Sequence, residues 1–402
     1  MRVLFASWGL PAHYLHMVPL AWAFRAAGHD VRVAAQPPAD RAILGTGMTH
    51  VPIAPEHDFD AEFAALSKRL RDRQHHRVVS VDGAAELSAA EQDEVFRMRL
   101  EPFVGTAVAM AGDLVEAARR WRPDLVIADH MVLAAPLAAH AVDAPLVGHL
   151  WGPALLHEMG LPGCDSPVER WPAELVALYD RYGVRPARDH TVATVDNCSA
   201  ALQRPGIPNR IGMRYVPFNG SGTVPDWLEQ PRERPRVCVT WGSTATEKTG
   251  PEEFVIPEVL AGLSELDVEV VVAIGKAERE LIGEVGPDVR LVEGLPLNLL
   301  LPTCDAVVHH GGTGTLLTAG VSAVPQVMVV SMGHYRFNAA RVQQTGAGVT
   351  VGIEDAVPAR IRDEVAGVLA EGEVRAGARA LRAGMLAQPA PADVVGTLTA
   401  LV

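Results

Sequence analysis

Two kinds of stretch alternate along the chain: short, nearly unbroken apolar runs, and longer segments in which apolar residues return every three or four positions. The runs Val3 to Ala6, Val31 to Ala35, Leu125 to Ala128 and Leu146 to His149 are largely apolar on both side-chain faces. Such runs predict strands of a parallel sheet covered by helices on both sides, since a sheet with one wet face would alternate polar and apolar positions. A helical pattern from Met17 to Ala27, closed by Gly28, links the first two strands as a βαβ unit. The rhythm restarts later with Val237 to Thr240, Val268 to Ala273, Val289 to Leu291, Ala306 to Val308 and Gln326 to Val330. Between the two series the stretch PFNGSGTVPDWLEQPRERP collects prolines, glycines and charges, as a domain boundary does. The fold class is α/β: a first domain over 1–216, a linker over 217–235, a second domain over 236–388, and a final helix over 389–402 that can pack back on the first domain. Residues 55–100, rich in charge and helix formers, break the rhythm and are expected to form an insertion lining a cleft.

A length of 402 residues suits two domains of about 150–200 residues each. A formal net charge of -13 disfavours nucleic acid or an anionic membrane surface as a partner, because either would be approached against the protein's own field. A small anion in a local pocket stays allowed. Cys164, Cys198, Cys238 and Cys304 are widely spaced, with no C-x-x-C pair and no histidine beside them at metal-ligand spacing. They read as reduced packing residues of a cytoplasmic protein. The opening MRVLFASWGL enters a strand without a basic leader, so secretion is not expected, and no charge-free apolar run reaches about 18 residues, so no membrane span is expected either.

Candidate chemistry gathers at predicted strand ends. After the first strand the chain reads SWGLPAHYLH, with one glycine, Gly9, followed by Leu10 and Pro11, which does not suit a dinucleotide pyrophosphate. His13 stands there instead, either a general base near neutral pH or a structural ring. His16 lies three residues on, without an evident third metal ligand. Asp129 ends the run DLVIAD and is either the partner that fixes the His13 tautomer or a helix cap. In the second half VTWGSTAT offers a small polar turn, and VVHHGGTGTLL sets histidines, glycines and hydroxyls where a strand gives way to a helix. Glycines let backbone N–H groups converge and the helix presents its positive end, so the turn suits an anion. A nucleotide-sugar diphosphate, a dinucleotide and a plain tight turn all remain open at this point. HDFD at 57–60 reads as a solvated pair, and no metal is assigned.

Taken together, HMVPLAWAFRAAGHDVRVA, RWRPDLVIAD, GMRYVPFNGSGTVPDWL, VTWGS, LLPTCDAVVHHGGTGT and GVSAVPQ resemble the two-domain GT-B glycosyltransferases of the family 1 type, nearly end to end. Within them the chain is most similar to actinobacterial enzymes that attach deoxysugars to macrolides, enediynes and aromatic polyketides, and especially to the desosaminyl transferase group of erythromycin biosynthesis. The resemblance implies two Rossmann-like domains with parallel sheets facing an interdomain cleft, and an inverting, metal-independent sugar transfer from a nucleoside diphosphate, by family habit thymidine diphosphate, to a hydroxyl of a hydrophobic aglycone. It makes His13 the general base and Asp129 its orienting acid. It places Gly242, Ser243, Thr244, Leu295, His310, Gly311, Gly312, Thr313, Gly314 and Thr315 around the donor, with His310 and the glycines on the diphosphate.

Some positions depart from the family pattern. LPA precedes His13 where relatives often carry glycines, and Gly294 stands where many carry an aromatic residue against the nucleobase, leaving Leu295 to hold it by backbone. In MGHYRFN, His334 and Tyr335 occupy the place of an acidic pair on the sugar hydroxyls, which fits a deoxysugar. The resemblance implies no cofactor besides the donor substrate, with the nucleotide sugar and the aglycone as small-molecule partners. It also brings in a homodimer and a cytochrome-P450-like activator protein as partners some relatives have. A sugar-nucleotide epimerase or hydrolase, or a helper lacking the chemistry, would share the fold.

Overall fold

In the computed structural model the described residues are 1–59, 61–62, 65, 88–242, 254–331 and 333–402. They form two compact units. One comprises Met1–Asn197, Pro205–Met213 and Pro389–Val402, the other Cys198–Arg204 and Arg214–Gln388.

The first unit is built on seven strands: Arg2–Ala6 (β1), Asp30–Ala35 (β2), Thr49–Pro52 (β3), Leu125–Asp129 (β4), Leu146–His149 (β5), Ala193–Asp196 (β6) and Arg210–Gly212 (β7). Their order across the sheet is β3-β2-β1-β4-β5-β6-β7, and every neighbour is parallel. Central strands are buried on both faces, as their apolar runs require: β4 is buried throughout and β1 from Val3 to Ala6. A helix of 33 residues, Ala89–Trp121, starts in the region expected to be an insertion and runs 21 residues beyond it, packing Leu100, Val104, Met110 and Leu114 into the core. The terminal helix Pro391–Thr399 packs on the helix Val18–Ala26, burying Val394, Val395 and Leu398.

The second unit has six strands: Arg236–Thr240 (β8), Glu269–Ile274 (β9), Val289–Glu293 (β10), Ala306–His309 (β11), Gln326–Val330 (β12) and Gly348–Gly352 (β13). All neighbours are again parallel, in the order β10-β9-β8-β11-β12-β13.

Both sheets reverse direction of winding at one place, between β1 and β4 in the first and between β8 and β11 in the second. The loops leaving such a pair diverge to opposite faces, so a crevice opens at the carboxyl ends of the two strands and ligands settle there. All four strand ends carry residues singled out from the sequence.

Candidate functional site

At the first reversal, β1 runs into Ser7 and buried Trp8, whose ring meets Phe59 edge-on at 4.7 Å. Gly9 passes so close to Gln36 that an added Cβ would lie 2.7 Å from its Oε1. Pro11 opens a single helical turn, Pro11–Tyr14, and puts His13 over the carboxyl end of β4. Register pairs Ala6 with Ala128, so the next residue of β4, Asp129, comes up beside that turn.

His13 Nδ1 donates to Asp129 Oδ2 at 2.5 Å, while Asp129 Oδ1 accepts the Met131 N–H at 2.9 Å. The carboxylate is completely buried. Burial by itself would raise its pKa, but the charge and hydrogen bond of His13 and the Met131 N–H outweigh that and hold it below the usual carboxylate value. An ionised Asp129 fixes the proton on His13 Nδ1 and leaves a lone pair on Nε2, the state in which an imidazole can accept a proton. The ring keeps 13% of its surface exposed and tilts against Trp151 at 5.1 Å. Asp129 also organises its own turn through Met131, but it caps no helix: the helix that follows, Ala135–His140, starts after Ala134.

The other imidazoles near this pair are neutral at pH 7. Burial first, then His149 and His13, pushes His16 down to about 3, and burial pushes His149, register partner of Asp129, down to about 4. His16 Nδ1 meets Asn197 Nδ2 at 3.4 Å, whereas His13 Nδ1 meets Asp129, so the two rings have different partners at these nitrogens. A small pocket of about 30 Å³ beneath Asp129 is lined by His130, Tyr179, His190 and Thr191; it has room for a water or two and none for an aglycone. The structure does bring Cys164 near histidines, contrary to the spacing in the sequence: ligand atoms of His130, His157 and Cys164 lie within 4.8 Å of one another.

The second reversal is built from backbone and neutral side chains. β11 ends at His309, His310 follows, Gly311 turns with φ +92, and Gly312 caps the helix Thr313–Val321. The N–H groups of Thr313, Gly314 and Thr315 precede the first intrahelical bond, Leu316 N–H to Gly312 O at 3.0 Å, and so remain available to an anion. His310 is clamped between glycines: an added Cβ would lie 2.7 Å from its ring at Gly242 and 2.5 Å from Nε2 at Gly312. Trp241 and Tyr335 complete its walls, Tyr335 edge-on at 4.7 Å. Burial, with His309 and His334 adding to it, drives the His310 pKa well below its usual value. His310 Nδ1 is buried with no hydrogen-bond partner among the described residues.

Three sequence-derived positions have surroundings that the sequence did not specify. Gly311 has both backbone groups engaged internally, its N–H by His309 Nδ1 and its C=O by Asn338 Nδ2, so its part in a cradle is conformational. Tyr335 is 6% exposed and its ring lies tilted against that of His334 at 3.8 Å, a wall for His310 more than an open ligand group. Leu295 follows β10 and Gly294, whose φ is +65, and joins the apolar cluster of Leu300 and Leu301. Ser243 and Thr244 lie outside the described residues. Gln326 and Asn338, which tie the glycine turn together, were not picked out from the sequence; the signal was a polar residue opening the buried run QVMVV.

The chain matches the family model for the erythromycin biosynthesis protein CIII-like N-terminal domain over residues 22–242 and that for the C-terminal domain over residues 257–401. Tylactone mycaminosyltransferase of Streptomyces fradiae is 35% identical over 422 residues, covering 100% of this chain and 92% of that protein. For 10-deoxymethynolide desosaminyltransferase of Streptomyces venezuelae the identity is 34%, with 100% of this chain and 97% of that protein covered. Among solved structures, spinosyn rhamnosyltransferase SpnG superposes with a TM-score of 0.82 at 27% identity, covering 99% of this chain and 100% of that one. The glycosyltransferase VinC in complex with dTDP gives a TM-score of 0.80 at 29% identity, with 100% and 99% covered. Parallel sheets wound as two nucleotide-binding-like units, matched end to end by these enzymes, make the chain a GT-B glycosyltransferase belonging to the erythromycin biosynthesis protein CIII-like family.

Proposed function

We propose that the protein transfers a deoxysugar from a thymidine diphosphate donor to a hydroxyl of a polyketide-type aglycone, with inversion at the anomeric carbon. The observation that carries this reading is the His13–Asp129 pair: a buried carboxylate at 2.5 Å that sets the imidazole as a proton acceptor. His13 Nε2 takes the proton of the acceptor hydroxyl as its oxygen attacks the anomeric carbon. The C–O bond to the diphosphate breaks on the opposite side, and a single displacement of that kind inverts the centre.

Negative charge grows on the departing diphosphate. The helix Thr313–Val321 offers its first-turn N–H groups and positive dipole end to that charge, and neutral His310 offers a ring N–H. In this reading those donors stabilise the leaving group without calling on a metal ion. The thymidine base and the deoxysugar come from relatives: SpnG has been solved complexed with thymidine diphosphate and with spinosyn aglycone, and the curated relatives named above transfer mycaminose and desosamine. His334, in place of a carboxylate, suits a sugar with fewer hydroxyls.

A nucleoside diphosphate panel followed by thermal unfolding tests the donor assignment, because a ligand raises stability according to its concentration over its Kd. Thymidine diphosphate is expected to raise Tm more than the uridine, guanosine or adenosine diphosphates. Consumption of a thymidine diphosphate deoxysugar should then depend on added macrolactone or anthracyclinone. No stabilisation by any diphosphate, or equal donor loss with and without acceptor, would overturn the proposal; the second result would indicate a hydrolase or epimerase.

A further inference from the structure

The glycine turn at the end of β11 is held from inside by a side-chain strut that the transfer chemistry above does not use. His309 is fully buried at the end of its strand. Its Nδ1 accepts the N–H of Gly311 at 3.1 Å and its Nε2–H meets Gln326 Oε1 at 3.0 Å. Gln326 Nε2 in turn donates to Leu316 O at 3.3 Å, in the first turns of the helix that follows the glycines. From the other side Asn338 Nδ2 donates to Gly311 O at 3.0 Å and to Thr313 Oγ1 at 3.1 Å. The bond to Gly311 holds the turn to the end of β11, and the others tie that end and the following helix to β12 or to the helix Gly333–Gln344.

We infer that His309 is a positioning residue for the diphosphate site: by engaging the Gly311 N–H it fixes the left-handed turn and thereby aims the N–H groups of Thr313, Gly314 and Thr315 at the phosphates. This deepens the donor-site reading above and rests on it. The tautomer follows from the partners. A ring nitrogen that accepts a backbone N–H carries no proton, so the proton is on Nε2 and faces the Gln326 oxygen. Burial pushes the His309 pKa down to about 4, which keeps Nδ1 free to accept at neutral pH. The turn needs such a holder. Gly311 has a positive φ, a conformation with no helical or strand partner for its N–H, and an orphan buried donor would relax toward another arrangement. His309 is adjacent in sequence to His310, yet the two rings do opposite work: one faces the interior and holds backbone, the other lies beside the helix N-terminus.

Two near-isosteres separate positioning from simple packing. In His309→Asn the side-chain carbonyl lies where Nδ1 was and can still accept the Gly311 N–H. In His309→Gln the polar atoms reach toward Nε2 and that acceptor is lost. Each variant gives up one buried hydrogen bond, so similar losses of Tm are expected. Thymidine diphosphate affinity is expected to stay within about threefold of wild type in the Asn variant and to fall about tenfold in the Gln variant, the scale of one buried hydrogen bond. The donor KM should rise with it while the acceptor KM stays unchanged. Equal affinity losses in both variants, or none in the Gln variant, would overturn the inference. If the wild-type protein binds no diphosphate, the donor reading fails by itself, and His309 is judged by amide exchange in the ligand-free protein: slow at Gly311 in the wild type supports the strut and fast exchange there refutes it. The same wild-type measurement decides the matter if the Gln variant does not fold.

Discussion

The two sheet reversals are the same piece of topology used for opposite electrostatic purposes. At the first, strands β1 and β4 deliver a histidine and a buried carboxylate that is held ionised by its partner. At the second, strands β8 and β11 deliver tryptophan, glycines and two imidazoles that burial keeps neutral. A proton acceptor needs a side chain that changes protonation state near neutral pH, and a buried carboxylate beside the imidazole supplies the bias. A site for a departing diphosphate needs donors that are fixed before the charge arrives, and backbone N–H groups at a helix start meet that need without a titrating group. The difference teaches where each unit is vulnerable: the first to loss of one side chain, the second to loss of backbone geometry.

Removing the bias on the base is the sharpest way to break the contrast. Asp129→Asn is expected to lower kcat by roughly a hundredfold to ten-thousandfold, because an amide beside Nδ1 no longer dictates the tautomer or stabilises the imidazolium. Thermal unfolding should show a folded protein, and steady-state turnover at saturating donor and acceptor measures the loss. A kcat within threefold of wild type would mean that the carboxylate serves only its own turn at Met131.

A smaller effect is expected on the other side. His310→Ala should weaken thymidine diphosphate binding about tenfold in a titration, the value of a charge-assisted hydrogen bond, and should lower kcat at saturating donor by less than Asp129→Asn does. An unchanged affinity would remove His310 from the phosphate contacts and leave the helix start alone in that role.

How much of this was legible in the sequence depended on burial. Central strands such as LVIAD and QVMVV are buried on every residue and announce themselves as continuous apolar runs. Three of the four edge strands, THVP, RIG and GVTVG, are only partly buried and carry no such run. β6, ATVD, is buried but hides Thr194 and Asp196 in its core, the latter joined to Arg210 at 2.5 Å, so a polar pair masked it. The parallel two-sheet architecture was nonetheless plain from the runs that were visible.

The candidate site was legible as residues, and the pairing of His13 with Asp129 only as one of two readings of Asp129. His13 and Asp129 stand at the ends of predicted strands, yet 116 positions separate them, and only the adjacency of β1 and β4 joins them. His310 and the glycines were readable from their local spacing. His309, Gln326 and Asn338 were not read as a unit, because hydrogen bonds between a strand end, the next strand and a later helix leave no period in the sequence. The role of Gly311 changed for the same reason: a glycine marks a turn, but which groups engage its N–H is a matter of tertiary structure.

The central claim is that proton acceptance resides in the first unit and diphosphate binding in the second. Its most direct test is His13→Asn, in which the amide can still donate to Asp129 and keep the buried carboxylate partnered while no base remains. Calorimetric titration with thymidine diphosphate and turnover with donor and acceptor are measured on the same preparation. The account predicts an affinity within about threefold of wild type and a turnover lower by about a thousandfold. Turnover close to wild type, or an affinity that falls in step with turnover, would contradict it.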